Sequence, residues 1–139
     1  MKECVFLELE TSGLDPTHHE LISLSALRLG RDRYERFHSL LRPSHPLSEL
    51  AEKLTGLTNT ALAQSPSAAD ALREFERWRK GDPIVLCRPK FDLPFLTAAY
   101  EKAGQELDTG LIHTLEEDKV RSLLWKYLFP GTIGSDSEG

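Results

Sequence analysis

The sequence predicts a mixed α/β fold, in which helices pack on the faces of a sheet whose first three strands are antiparallel. Three strand-like segments come first along the chain, and helical periodicity then alternates with short apolar strands. A hairpin followed by α/β crossovers is typical of mixed sheets. The 139 residues, 40% hydrophobic and 28% charged, are enough for one domain with a buried core.

The three strands are predicted from apolar runs and from the turns between them. Residues 4–9 form the first run, which a turn-forming stretch over residues 11–16 ends. Leu21–Leu29 alternates imperfectly, as a partly buried strand does. Gly-Arg-Asp at 30–32 is then predicted to be a hairpin turn into a third strand over residues 34–41.

Spacing and capping signals predict two helices next. Gly56 ends the first, whose apolar residues recur at the spacing of one helix face: Leu47, Leu50, Ala51 and Leu54. Ser65 and Pro66 supply an N-cap and a proline at the first position of the second helix. Its buried stripe is predicted to be Leu72, Phe75 and Trp78.

The remaining elements alternate strand and helix. An apolar strand over residues 84–87 leads to a helix over residues 92–103. The buried face of that helix is predicted to be Leu96, Ala99, Tyr100 and Ala103. A strand over residues 111–115 precedes a helix over residues 116–128, and the small, acidic tail at 132–139 is expected to fray.

The formal net charge of −5 and the two cysteines argue against several classes of protein. An acidic chain is not expected to coat nucleic acid, although an enzyme that grips one strand end is compatible with this charge. Cys4 and Cys87 lie in apolar runs typical of buried thiols, without metal-binding spacing or a disulfide framework. Neither a signal peptide nor a membrane span is found, so we expect a cytoplasmic location and no membrane partner.

Glu8 and Glu10 are the first candidates for chemistry. Positions i and i+2 of a strand share a face, and two half-buried carboxylates on one face repel each other unless a cation lies between them. Such oxygen ligands suit Mg²⁺ or Mn²⁺. The alternative is an exposed edge strand that carries two solvated glutamates.

Five segments, in order along the chain, carry a resemblance to a known family. They are residues 8–16 (Glu-Leu-Glu-Thr-Ser-Gly-Leu-Asp-Pro), 53–59 (Lys-Leu-Thr-Gly-Leu-Thr-Asn), 91–96 (Phe-Asp-Leu-Pro-Phe-Leu), 112–115 (Ile-His-Thr-Leu) and 128–131 (Leu-Phe-Pro-Gly). The set resembles the DnaQ-like family of metal-dependent 3′–5′ exonucleases, of the RNase H-like superfamily. The resemblance implies one RNase H-like domain over residues 1–131 and a flexible acidic tail over 132–139.

The resemblance also implies roles for single residues. Glu8, Glu10 and Asp92 match the family's catalytic metal ligands, which bind Mg²⁺ or Mn²⁺. The segment that lies against the terminal nucleotide is matched by Thr11, Ser12, Gly13 and Leu14. The implied reaction is two-metal hydrolysis of the terminal phosphodiester at the 3′ end of single-stranded DNA or RNA.

Two of the matched segments depart from the family pattern. Glu8 stands where the family has aspartate, and its extra methylene displaces the carboxylate, although Mg²⁺ demands near-ideal geometry. Cys87 and Arg88 stand where the family has His-Asn. Arg88 and Lys90 are candidates for a phosphate contact, with solvated surface charge as the alternative.

The family's third motif, a general base and a fourth acid on a C-terminal helix, has no counterpart, so we expect the last helix of the fold to be missing. Asp118 and Asp136 are weak substitutes for the acid. The histidines are expected to be structural or solvent-exposed: His18, His19, His38, His45 and His113. Loss of the base and a metal ligand costs on the order of 10⁴ in rate, so the implied activity is weak or lost.

Three functions remain open at this point. The chain is an active exonuclease that uses Glu8, Glu10 and Asp92, or an inactive module that binds a nucleic-acid end. The third is a scaffold for a protein partner, or for a homodimer that covers the surface of the missing helix. Metal binding separates the scaffold from the other two functions, and cleavage separates the enzyme from the module.

Overall fold

One mixed sheet of five strands forms the centre of the described part of the chain. The computed structural model describes residues 3–30 and 34–114. The strands are β1 (Cys4–Thr11), β2 (Leu21–Leu29), β3 (Tyr34–Leu40), β4 (Ile84–Leu86) and β5 (Ile112–Thr114), in the spatial order β3-β2-β1-β4-β5. The first three strands are antiparallel, β4 is parallel to β1, and β5 is parallel to β4. The predicted mixed α/β sheet is confirmed.

Four helices connect and cover these strands in the described ranges. They are α1 (Glu49–Thr55), α2 (Asn59–Ala63), α3 (Ala68–Arg79) and α4 (Pro89–Lys102), and a short 3-10 turn (Thr109–Leu111) precedes β5. The sequence pattern did not predict α2, because this helix has only five residues and no apolar repeat of its own.

The predicted start of the long helix at Ser65 and Pro66 is wrong. Ser67 is the N-cap of α3, and its side chain accepts a hydrogen bond from the backbone N–H of Asp70 at 3.1 Å. Ser65 instead completes the end of α2, because its hydroxyl donates to the carbonyl of Ala61 at 2.9 Å. The serine before Pro66 therefore belongs to the end of the preceding helix, and the serine after Pro66 caps the following one.

The main core lies between one face of the sheet and helices α3 and α4. Strand β1 contributes Val5, Leu7 and Leu9 to it. The predicted stripes of the two helices supply Leu72, Phe75, Leu96 and Tyr100, with Trp78, Ala99 and Ala103 partly buried around them. The other side chains of β1 point to the opposite face, where Phe6 packs with Leu27 and Val85. Strand β1 is therefore buried on both faces.

The helix predicted from the spacing of apolar residues at 47–54 is present, but its apolar face does not enter the core. Gly56 ends α1 in the left-handed conformation, at φ 76°. None of the α1 residues is fully buried: Leu47, which precedes the helix, packs inside, and Ala51 packs against it partly buried. Asn59 fixes the approach to α1, because its side chain bonds the backbone N–H of Leu47 at 2.7 Å and its carbonyl at 3.1 Å.

Some of the predicted features lie outside the described residues. These are the turn at 30–32 beyond Gly30, the end of the last strand at Leu115, the helix over 116–128, the tail at 132–139, and both candidate acids, Asp118 and Asp136. Among the helices that are described, none has the length and apolar character needed to cross a membrane.

Candidate active site

The parallel pairing of β1 with β4 places two of the motif segments side by side. Leu7 pairs with Leu86, so the residues that follow them, Glu8 and Cys87, lie at the same edge of the sheet. The chain then enters α4 at Pro89, which turns Asp92 in the first helical turn back toward this edge. Two of the three predicted carboxylates, Glu8 and Asp92, thereby both lie close to Cys87 and Arg88.

Asp92 is the most buried charged group at this edge, with 0% of its surface exposed. One carboxylate oxygen, Oδ2, accepts a hydrogen bond from the backbone N–H of Arg88 at 3.2 Å. The other, Oδ1, is buried and accepts no hydrogen bond from the described residues. Burial raises the pKa of Asp92 to about 6, against the opposing effects of the Arg88 charge and backbone N–H.

Glu8 is also buried, and a guanidinium faces it. Atom Nη2 of Arg88 lies 3.9 Å from Oε1 of Glu8. The Arg88 side chain is half-buried and stacks over the Phe91 ring, with 5.1 Å between its Cζ atom and the ring centroid. Of the two residues considered for a phosphate contact, Arg88 is half-buried beside Glu8 and Lys90 is exposed.

Cys87 lies between the two buried carboxylates. Its thiol donates to the carbonyl of Leu7 at 3.1 Å and is partly buried, as the apolar run predicts. Burial raises the pKa of Cys87 well above its usual range, and the negative charges of Glu8 and Asp92 raise it further. This thiol is therefore protonated at neutral pH, and it serves as a hydrogen-bond donor to the strand.

Glu10 lies apart from the buried pair. It is exposed near the end of β1, where a register shift against β2 separates it from Thr11. Among residues 3–30 and 34–114, no three His, Cys, Asp or Glu side chains are grouped so that they could hold a metal ion. The carboxylate oxygens suit Mg²⁺ or Mn²⁺ chemically, but in this arrangement they do not fit the metal cluster that the resemblance implies.

A cavity of about 370 Å³ opens beside Glu10 and Arg88. Its walls include the predicted nucleotide segment Thr11, Ser12, Gly13 and Leu14, together with Glu10, His19, Arg88, Phe91 and the outer face of α1. Three of its residues are large, exposed apolar side chains: Leu14 at 83%, Leu50 at 65% and Leu54 at 77%. These exposed leucines form an apolar rim suited to a flat ring.

The turn after β1 is held in shape by local hydrogen bonds. Thr11 donates its hydroxyl to the carbonyl of Gly13 at 2.6 Å, and the Ser12 hydroxyl accepts from the backbone N–H of Glu20 at 2.9 Å. Glycine is required at position 13, because a Cβ there would lie 2.4 Å from the ring of His19. The turn is thus a preformed wall of the cavity.

Sequence analysis missed several residues of this site. Leu50 and Leu54 belong to the helical repeat, and no pattern distinguishes an apolar face that meets solvent from one that meets the core. Phe91 and Arg88 lie within or beside the matched segments without an assigned contact. All five histidines are exposed, as predicted, and His19 additionally lines the cavity.

Comparison with known proteins gives a consistent result at the level of the family. The family model described as "Exonuclease" (RNase_T) matches residues 5–122. DNA polymerase III PolC-type of Bacillus cereus is 32% identical over 128 residues, which cover 91% of this chain and 8% of the polymerase. The same protein of Bacillus subtilis is 31% identical over 129 residues, with the same coverage of 91% and 8%. The chain thus spans about a twelfth of the length of these polymerases.

Solved structures with the same fold include E. coli Exonuclease I. Its complex with a 5cy-dT13 oligonucleotide superimposes with a TM-score of 0.68 at 14% identity, over 78% of this chain and 25% of the exonuclease chain. The zinc-bound form of its complex with single-stranded DNA gives a TM-score of 0.69 at 13% identity, over 82% and 27% of the two chains. At this identity the likeness establishes the fold.

Proposed function

This chain belongs to the exonuclease family and has its RNase H-like fold, and on that premise we propose that it binds the 3′ end of single-stranded DNA or RNA and hydrolyses it weakly or not at all. The observation that carries the proposal is the cavity of about 370 Å³ that is lined by Glu10, Arg88 and the turn from Thr11 to Leu14. A cavity of this size accommodates one nucleotide. The matched relatives are DNA polymerases, which favours a role in DNA replication or repair.

The proposed binding mode uses the two kinds of wall that the cavity offers. The turn Thr11 to Leu14 lies along one side and the exposed leucines of α1 along another. Apolar side chains around the terminal base would exclude water from its faces, since every base has a flat face that such contacts tolerate. Glu10 and Arg88 line the same cavity, so the scissile end of the strand would face the carboxylates.

We assign Glu8, Glu10 and Asp92 as the residues that would carry any remaining catalysis. Because the described carboxylates do not form a three-ligand group, the proposed rate is low. The exposed position of Glu10 and the burial of Asp92 are the two features that separate this site from an assembled one.

The test of this proposal is degradation of 5′-labelled single-stranded DNA and RNA with Mg²⁺ or Mn²⁺. We expect stoichiometric binding of the oligonucleotide and, at most, a slow ladder that shortens from the 3′ end. The double variant Glu10→Ala, Asp92→Ala should abolish the ladder, and Glu106→Gln, an exposed carboxylate beyond α4, should leave it unchanged. Absence of binding to any 3′ end would refute the proposal, and fast cleavage would refute its low rate.

A second test addresses the apolar rim. We expect Leu54→Ser to weaken binding of a fluorescent single-stranded oligonucleotide about fivefold, which corresponds to about 1 kcal/mol of lost apolar contact. Tyr34→Ser is the matched control, because Tyr34 is also a large exposed apolar side chain but lies on β3, away from the cavity. Fluorescence anisotropy in chelator measures both, and equal effects of the two variants would contradict the assignment of the rim.

A protein partner is the second candidate occupant, and the same exposed leucines favour it. Apolar side chains such as Leu50 and Leu54 would also pack against a partner or a second copy of the chain. Light scattering of the Leu54→Ser variant separates the two cases. A change from dimer to monomer would support the partner, whereas a monomer in both proteins would favour the strand end.

A further inference from the structure

Arg88 occupies a central place among the charges of the site. Its guanidinium lies 3.9 Å from the Glu8 carboxylate, and its backbone N–H donates to Asp92 at 3.2 Å. The ring of Phe91 holds the side chain from another side, at 5.1 Å. One permanent positive charge therefore lies beside Glu8 and also acts on Asp92, which the backbone of the same residue contacts.

Two buried carboxylates of like charge are unfavourable without a nearby cation. A metal ion can supply that charge, and so can a guanidinium, which stays protonated at every accessible pH. The guanidinium is attached to the chain, so it does not have to be drawn from solution. Any divalent ion that approaches Glu8 would meet this positive charge and would have to displace it.

We propose that Arg88 is a resident cation of the Glu8 and Asp92 pair, which takes the place of a divalent metal ion and competes with it. The described carboxylates do not form a metal cluster, although they lie in the matched segments. The inference rests on the proposed function only because that function assigns Glu8 and Asp92 to the active site. Arg88 acts here as a positioning residue, through the two carboxylates.

The experiment is a titration of the full chain with Mn²⁺, followed by electron paramagnetic resonance of the free ion. We expect Arg88→Met, which removes the charge and keeps an apolar stem, to bind Mn²⁺ at least tenfold more tightly than the wild type. Arg88→Lys should restore the weak binding, because the charge returns. Adding Asp92→Asn to Arg88→Met should abolish the gain.

Lys90→Met is the matched control, because it removes one positive charge two residues away from an exposed position. A general effect of net charge would increase Mn²⁺ affinity equally in Lys90→Met and Arg88→Met, and that result would overturn the proposal. Equal Mn²⁺ affinity of Arg88→Met and wild type would also overturn it. Should Arg88→Met fail to fold, Arg88→Gln provides the same comparison with a polar stem.

Oligonucleotide binding in chelator keeps this inference separate from the proposed function. If the wild type binds the strand end but Arg88→Met does not bind Mn²⁺ more tightly than the wild type, the role of Arg88 alone is overturned. If the chain does not bind strand ends but Arg88→Met binds Mn²⁺ more tightly than the wild type, the proposed function is refuted and the resident cation is supported. Absence of both would refute both.

Discussion

Replacement of Asp92 by asparagine is expected to stabilise the protein at neutral pH in the absence of divalent metal. The side chain is fully buried, and its Oδ1 accepts no hydrogen bond from the described residues. A pKa raised from the ordinary aspartate value of 3.8 to about 6 means that folding makes ionisation of this carboxyl less favourable. Asparagine keeps the acceptor for the Arg88 backbone N–H and removes the buried charge. We expect a gain of about 1–3 kcal/mol in the free energy of unfolding.

The pH dependence of this gain has a definite sign. Between about pH 4 and pH 6 the folded state holds the Asp92 proton more firmly than the unfolded state does, so this group lowers the stability as pH rises. The penalty is absent below this window and complete above it. The stability difference between Asp92→Asn and wild type should therefore grow from near zero at pH 4 to its full size at pH 7.

Thermal or urea unfolding in chelator, at several pH values, measures the effect. Asp70→Asn is the control, because Asp70 is exposed on α3 and a hydrogen bond from Arg73 lowers its pKa. That substitution should leave the stability unchanged or slightly lower. A wild-type protein that is more stable than Asp92→Asn at pH 7 in chelator would contradict the prediction.

Replacement of Arg28 by methionine is expected to lower the free energy of unfolding by about 3 kcal/mol or more, because it breaks a buried ionic network. Arg28 lies on β2 with only 5% of its surface exposed. Its guanidinium donates to Asp82 at 2.9 Å, to Glu35 opposite it on β3, and to the carbonyl of Trp78. It also lies over the Trp78 ring, 4.0 Å from the centroid.

The loss is large because the partners of Arg28 stay behind without compensation. Asp82 is itself mostly buried, in the turn that leads into β4. Methionine fills the space of the stem but leaves that carboxylate and the Trp78 carbonyl without their donor. The turn leads into β4, which Cys87 and Arg88 follow, and we expect the substitution to weaken strand-end binding as well.

Chemical unfolding measures the prediction, with Arg73→Met as the matched control. Arg73 forms a 2.7 Å ion pair with Asp70, but both side chains are more than half exposed. An exposed pair of this kind contributes about 0–1 kcal/mol. Similar losses for the two arginine variants would show that the Arg28 network does not stabilise the fold.

The fold followed from the sequence wherever one local signal decided the outcome. The bounds of β2 were predicted correctly, because a turn on each side and an apolar run agree. The start of α3 was not, because Ser65 and Ser67 are both good caps and only the packing of α2 decides between them. The exposed face of α1 has the spacing of a buried one, and spacing carries no information about what lies opposite.

The sequence predicted which residues belong to the candidate site, but it did not predict their relative positions in space. The matched segments identified Glu8, Asp92 and the turn after β1, and the structure places them around one edge of the sheet. The exposure of Glu10 depends on the register shift at the end of β1. The contact of Arg88 with Glu8 joins residues far apart in sequence. The sequence around an arginine that follows an apolar strand does not indicate which way its side chain points.

The two charged residues of the site are held differently, because Glu8 lies on the central strand β1 and Arg88 lies between β4 and α4. Strand β1 pairs with β2 on one side and β4 on the other, and both of its faces are buried. Its amide protons should exchange with solvent only when the whole domain opens. Pairing on both sides therefore fixes the backbone position of Glu8. The loop from β4 into α4 has no such constraint on Arg88, and changes of ligand preference in related chains are expected to accumulate there.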